Sequence, residues 1–187
     1  MKYLSTRDAT LRFDAAQAIV QGLSRDGGLF MPEAFPVMPA GMLEELIRAD
    51  YQTRAVRIMK LFLEDFSEEE LAYFASKAYA FGEKFDTEAV APVHHVTEGT
   101  EVLELWHGPT CAFKDMALQM LPWLLTASLR KNGEERTVSI LVATKRVTTG
   151  GISSTSSTST STRDNTVLGR LTSGSPCFFR IKSYHFL

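Results

Sequence analysis

The sequence predicts an α/β protein in which a helical N-terminal region is followed by the start of a parallel sheet and then by a disordered C-terminal tail. Three observations carry this expectation. Before residue 80 apolar side chains recur at i, i+3 and i+4 in several stretches, the period of one helix face. Glu101 to Trp106 and Val138 to Ala143 read as strands on either side of a further helical stretch, and strand, helix, strand with an apolar second strand is how parallel sheets are built. From Lys145 onward the patterning stops.

The elements follow in order. Phe13 to Leu23 places Phe13, Ala16, Ile19, Val20 and Leu23 on one helical face, and Gly22 with Asp26-Gly27-Gly28 marks its stop and a turn. Pro32, Pro36 and Pro39 bias their preceding residues away from helix, so this stretch is an extended connector. Met42 to Ile47 and Arg54 to Phe66 read as helices. Ser67-Glu68-Glu69-Glu70 is a capping box, in which hydroxyl and carboxylate satisfy each other's backbone donors, and Leu71, Phe74, Ala75 and Ala78 form the stripe behind it. Phe85 to Val96 is a mixed connector. Glu101 to Trp106 alternates Val102, Glu104 and Trp106 against Leu103 and Leu105, the period of a strand. A helix from about Lys114 to Arg130 places Ala117, Leu121, Leu124, Leu125 and Ser128 on one face, with Met116, Met120 and Trp123 also assigned to the core. Pro122 removes a backbone donor and should kink this helix at the preceding turn, and Asn132-Gly133 should end it.

Composition limits the function classes. The chain has 187 residues and is 44% hydrophobic, which suits a protein with a packed core. Lys plus Arg number 20 and Asp plus Glu 22, so no basic excess exists to bind nucleic acid. No run of about 18 apolar residues suggests a membrane span, and the first residues lack the apolar region of a secretory signal, so a cytoplasmic location is expected. Cys111 and Cys177 are too few for a disulfide framework. His94-His95 on an extended segment point to opposite sides and do not form a metal site, so no metal is expected.

Charge divides the chain near Thr144. Six basic residues stand against one acidic residue from Lys145 onward, leaving 14 basic and 21 acidic side chains before it. Ser153 to Thr162 is ten consecutive Ser and Thr, with no apolar face to bury. Either this is a natural flexible tail, or the reading frame departs here from an ancestral sequence. The organisation expected is thus 1–90 helical, 91–144 the start of an α/β domain and 145–187 a tail.

Chemistry points to the segment from Leu103 to Asp115, which closes a strand and opens a helix, where ligands sit in parallel α/β proteins. Packed against Phe113 and Trp106, Lys114 would be partly desolvated and its amine freed as nucleophile or base. The alternative is an ordinary solvated lysine in a first helical turn, and spacing does not separate the two. Cys111 reads as a packed small residue.

The string His107-Gly108-Pro109-Thr110-Cys111-Ala112-Phe113-Lys114-Asp115 closely resembles the pyridoxal-phosphate lysine motif of the threonine synthases. Tyr3-Leu4-Ser5-Thr6-Arg7, then Ala16 to Leu23 and Asp26-Gly27-Gly28-Leu29-Phe30-Met31-Pro32-Glu33, also look like the start of that family, and the resemblance runs to about Thr144. It implies a type II fold binding pyridoxal 5'-phosphate on Lys114, and a lyase that converts O-phospho-L-homoserine and water into L-threonine and phosphate. The freed Lys114 amine would then transfer protons at the α and β carbons. Asp115 and His107 would be supporting groups or, more simply, a capping aspartate and a strand-end histidine.

The departures count too. The family continues Val-Ala-Thr into Ser-Gly-Asp-Thr-Gly, whereas Val142-Ala143-Thr144 here leads into Lys145-Arg146-Val147-Thr148-Thr149-Gly150. No segment stands for the family's later glycine-rich phosphate loop. The resemblance therefore implies a threonine synthase by ancestry and an inactive 187-residue chain. The alternatives are a threonine synthase-like phospholyase, and a non-catalytic N-terminal fragment or binding module.

Overall fold

The computed structural model describes residues 1–135 and the backbone of residues 138–142 and 167–171. The chain forms two compact units, Met1–Glu134 and Glu135–Leu187.

The first unit opens with a small antiparallel sheet in which β1 (Tyr3–Ser5) lies between β2 (Arg12–Phe13) and β3 (Phe30–Pro32). Asp26 fastens its far end. Ser5 Oγ donates to the Asp26 carboxylate at 2.8 Å, the Gly28 N–H donates to Asp26 Oδ1 at 2.8 Å, and Arg7 Nη1 donates to the Asp26 carbonyl at 3.0 Å. Hydrogen bonds from Gly28 and then Ser5 hold the Asp26 carboxyl below the usual carboxylate range. Gly28 is required by space, because a Cβ there would stand 2.1 Å from Ser5 Oγ.

Helix α1 (Ala15–Gln21) starts at Asp14 with a capping box through Gln17 and ends at Gly22. Helix α2 (Met42–Arg48) follows the proline connector, and α3 (Tyr51–Phe62) starts where Asp50 accepts from the Thr53 N–H. In α4 (Glu68–Ala78) Ser67 and Glu70 form the expected capping box, and Leu71, Phe74, Ala75 and Ala78 are buried as the stripe predicted. The core joins Ala15 and Ala16 of α1, Val56 of α3 and the α4 stripe to Phe66, Tyr79, Phe85, Val90 and Met120. Phe66 and Phe74 meet edge to face, and Trp123 stacks on Phe74. Met116, Trp123 and Leu124 pack partly buried against this core, as assigned.

The connector expected from Phe85 to Val96 ends in a strand. β4 (Val93–Thr97) pairs antiparallel with β5 (Thr100–Leu103) across Glu98-Gly99, where Gly99 has φ +76. The strand expected to reach Trp106 therefore stops at Leu103. Its edge-on pairing with β4 leaves both strands exposed, so side-chain alternation had little to report.

The single helix expected from Lys114 to Arg130 is two: α5 (Asp115–Leu118) and α6 (Leu121–Lys131). Pro122 occupies the first turn of α6, where a missing N–H costs nothing, so the chain breaks before it rather than kinking through it. Asn132 caps α6 and Gly133 follows with φ +62.

In the second unit β6 (Val138–Val142) pairs antiparallel with β7 (Val167–Leu171), Val138 opposite Leu171 and Val142 opposite Val167. All strand pairs among the described residues are antiparallel. β7 falls within the stretch read as a tail, while the Ser/Thr run from Ser153 to Thr162 lies outside the described residues. No helix of the described residues is long and apolar enough to cross a membrane.

Candidate functional site

The segment between β5 and α5 is fixed at both ends by carboxylates. At its start, His107 Nδ1 lies 2.6 Å from Asp86 Oδ1 and Nε2 lies 2.6 Å from Glu104 Oε2. Only the doubly protonated ring can donate to both. The hydrogen bond to Glu104, then that to Asp86, raise the His107 pKa above its ordinary value. His107 is therefore more than a strand-end residue, because it ties its own segment, which also carries Glu104, to the distant turn at Asp86.

At the other end Asp115 is buried, 1% exposed, and accepts twice from one residue. The Thr110 N–H donates to Asp115 Oδ2 at 2.8 Å and Thr110 Oγ1 donates to Asp115 Oδ1 at 2.8 Å. Gly108 packs directly on this carboxylate, where an added Cβ would lie 2.5 Å from Asp115 Cβ. Between these contacts the backbone turns tightly: the Cys111 N–H donates to the Gly108 carbonyl and the Asp115 N–H to the Ala112 carbonyl. Cys111 itself has φ +55, a conformation unusual for a non-glycine residue. It is exposed, contrary to the packed position expected, because the turn that carries it bulges away from the core.

Lys114 sits at the end of this loop, immediately before α5. Its surroundings differ from the expectation. Phe113 is 65% and Trp106 48% exposed, and Lys114 is exposed with them, so these rings do not desolvate the amine. The early end of β5 and the shortness of α5 explain this: neither element brings the two aromatics over the lysine. Among the described residues the Lys114 carbonyl accepts from the Ala117 and Leu118 N–H groups, while its amine has no hydrogen-bond or ion-pair partner. It lines an open groove of about 680 Å³ with Tyr51, Ile58, Leu105, Phe113 and Met116. The lining is mostly apolar, and a free primary amine at the edge of such a groove fits a planar carbonyl-bearing ring.

Tyr79 supports the groove from behind. Its hydroxyl donates to the Met116 carbonyl at 2.9 Å, and burial pushes the phenol well above its usual pKa. Neither this contact nor Asp86 as the partner of His107 leaves a signal in the sequence. Both come from residues with no periodic relation to the loop. His94 and His95 lie side by side on exposed β4, with His95 Nδ1 2.7 Å from Glu101, and no cluster of three metal-ligating side chains exists among the described residues.

Residues 2–79 match the family model described as "Threonine synthase N terminus". The chain is 37% identical over 138 residues to the threonine synthase of Schizosaccharomyces pombe, covering 72% of this chain and 26% of that protein. It is 36% identical over 151 residues to the threonine synthase of Corynebacterium glutamicum, covering 77% and 30%. Over 110 residues it is 37% identical to human threonine synthase-like 1, covering 57% and 14%. Among solved structures, the pyridoxal-phosphate-bound threonine synthase of Brucella melitensis superposes with a TM-score of 0.66 at 33% identity, over 71% of this chain and 28% of that one. The Escherichia coli threonine synthase superposes with a TM-score of 0.61 at 32% identity, covering 68% and 28%. The chain thus spans between a quarter and a third of the length of these threonine synthases.

Proposed function

We propose, for a chain whose N-terminal part belongs to the threonine synthase family, that Lys114 is the lysine that holds pyridoxal 5'-phosphate. The reaction served is then conversion of O-phospho-L-homoserine and water into L-threonine and phosphate. The observation that supports this reading best is the position of Lys114: an unpartnered amine at the edge of an apolar groove, on a loop held at both ends. The cofactor, when bound, supplies an electron sink for carbanion chemistry next to the substrate amine.

The chain's own residues would then divide the work. Lys114 Nζ holds the cofactor and afterwards carries protons at the α and β carbons of substrate. Phe113, Leu105 and Met116 would offer the bound ring an apolar wall beside that amine. A cytoplasmic location fits this chemistry. The 187 residues by themselves span about a quarter to a third of the threonine synthases they match, and no turnover is expected of this stretch alone.

The test is chemical trapping. Incubation with pyridoxal 5'-phosphate followed by borohydride should leave a pyridoxyl label concentrated on the peptide carrying Lys114, and Lys114→Ala should remove it. A label spread evenly over the lysines would overturn the assignment. Threonine formation by the purified chain would overturn the expected inactivity. The alternative that the family resemblance leaves open is a threonine synthase-like phospholyase, which would eliminate phosphate from the same kind of substrate and release a keto acid. Product analysis of any turnover separates the two.

A further inference from the structure

We propose that Asp115, with Thr110 and Gly108, is the positioning device for the Lys114 amine, an inference that rests on Lys114 being the cofactor lysine. Asp115 is the one charged residue buried among the described residues, and it pairs with no cation. Instead it spends both carboxylate oxygens on Thr110, one on the backbone N–H and one on the hydroxyl. This closes residues 110 to 115 into a ring, with Lys114 as the last residue before the closure. Gly108 lies flat on the same carboxylate, so the ring is held from outside as well.

The consequence for Lys114 is geometric. Its amine makes no hydrogen bond or ion pair that would fix its direction, so the backbone decides where the side chain starts. The ring sets that backbone at φ −63 and ψ −21 and hands it to α5, whose Met116 and Ala117 line the groove beside Lys114. A short helix of four residues cannot hold this orientation by its own hydrogen bonds. Charge on Asp115 is not what the device needs. Asparagine in its place can accept from the Thr110 N–H and donate to the hydroxyl, which turns round to accept, so both bonds survive.

The experiment uses the full chain, the same trapping with pyridoxal 5'-phosphate and borohydride, and quantifies label on Lys114 relative to the other lysines by peptide mapping. Circular dichroism checks that the helices remain. The expected result is that Asp115→Ala and Gly108→Ala lose about tenfold or more of the Lys114 preference, as loss of orientation does in general. Thr110→Val, which removes only the hydroxyl and lies at an exposed position, should lose part of it, and Asp115→Asn should keep it within about threefold. A purely structural role would lower the melting temperature without changing which lysine is labelled. Unchanged preference in Asp115→Ala and Thr110→Val with helices intact would overturn the inference. So would an Asp115→Asn variant as defective as Asp115→Ala. If the unaltered chain shows no preference for Lys114, the assignment of the cofactor lysine fails first and takes this inference with it.

Discussion

Asp86 and His107 are joined twice: the Asp86 N–H donates to the His107 carbonyl at 3.2 Å, and Asp86 Oδ1 lies 2.6 Å from His107 Nδ1. The residues stand far apart in sequence, so this pair staples the turn after Phe85 to the start of the lysine loop.

The staple should be sensitive to pH. Its histidine is raised above the ordinary value of 6.5, chiefly by Glu104 and then by Asp86. A raised folded-state pKa means that the stabilisation is fully present below pH 6.5 and is lost as pH rises through the higher folded value. The expected outcome is a melting-temperature gap between the parent chain and His107→Gln that is widest just below pH 6.5 and narrows above it. Thermal melts across that range check it, and a gap that widens with pH would contradict it.

At the helix α4 start, Ser67→Ala removes the acceptor for the Glu70 N–H and breaks the capping box. A loss of about 1 kcal/mol is expected in urea unfolding. Ser67→Asp should restore most of it, because aspartate is an equally good cap at the same place.

Phe66 is fully buried, meets Phe74 edge to face, and has Lys131 Nζ 5.1 Å above its ring. Phe66→Ala is expected to cost about 3–5 kcal/mol, a large share of the stability of a domain this size. Phe66→Leu should cost less than half of that. Equilibrium unfolding distinguishes the two.

Gly28→Ala drives a methyl group against Ser5 Oγ and toward Asp26 Oδ1, and about 1–3 kcal/mol of destabilisation is expected. Ser5→Ala removes the nearest atom in the clash at the expense of the Asp26 hydrogen bonds. The double variant should therefore be more stable than the sum of the single effects. Additivity in a double-mutant cycle would show that the two residues do not meet.

How much of this was legible in advance varies by element, for physical reasons. Helix α4 was readable to the residue, because its cap and its stripe are both local patterns and both are used. The lysine loop was readable as a motif, and Lys114 with it. What the loop is fastened to was not, since Asp86 and Tyr79 reach it across the fold and leave no spacing behind. β4 was missed because Val93-His94-His95-Val96-Thr97 is exposed on both faces, so nothing selects an alternation; Gly99 between two β-rich runs was the available clue. Pro122 was recognised as disruptive, but sequence alone could not tell a kink from a restart.

The pairing of α1 with α6 sets an order of events during synthesis. Ala15 and Ala16 emerge from the ribosome early, yet α6, which packs against α1, arrives roughly 100 residues later, so the α1 face that it meets must wait through that interval. Until α6 is made, the nascent chain can form its capped helices but not bury α1. Completion of this unit is therefore a late, long-range closure, and the exposed α1 face is where a chaperone would engage the growing chain.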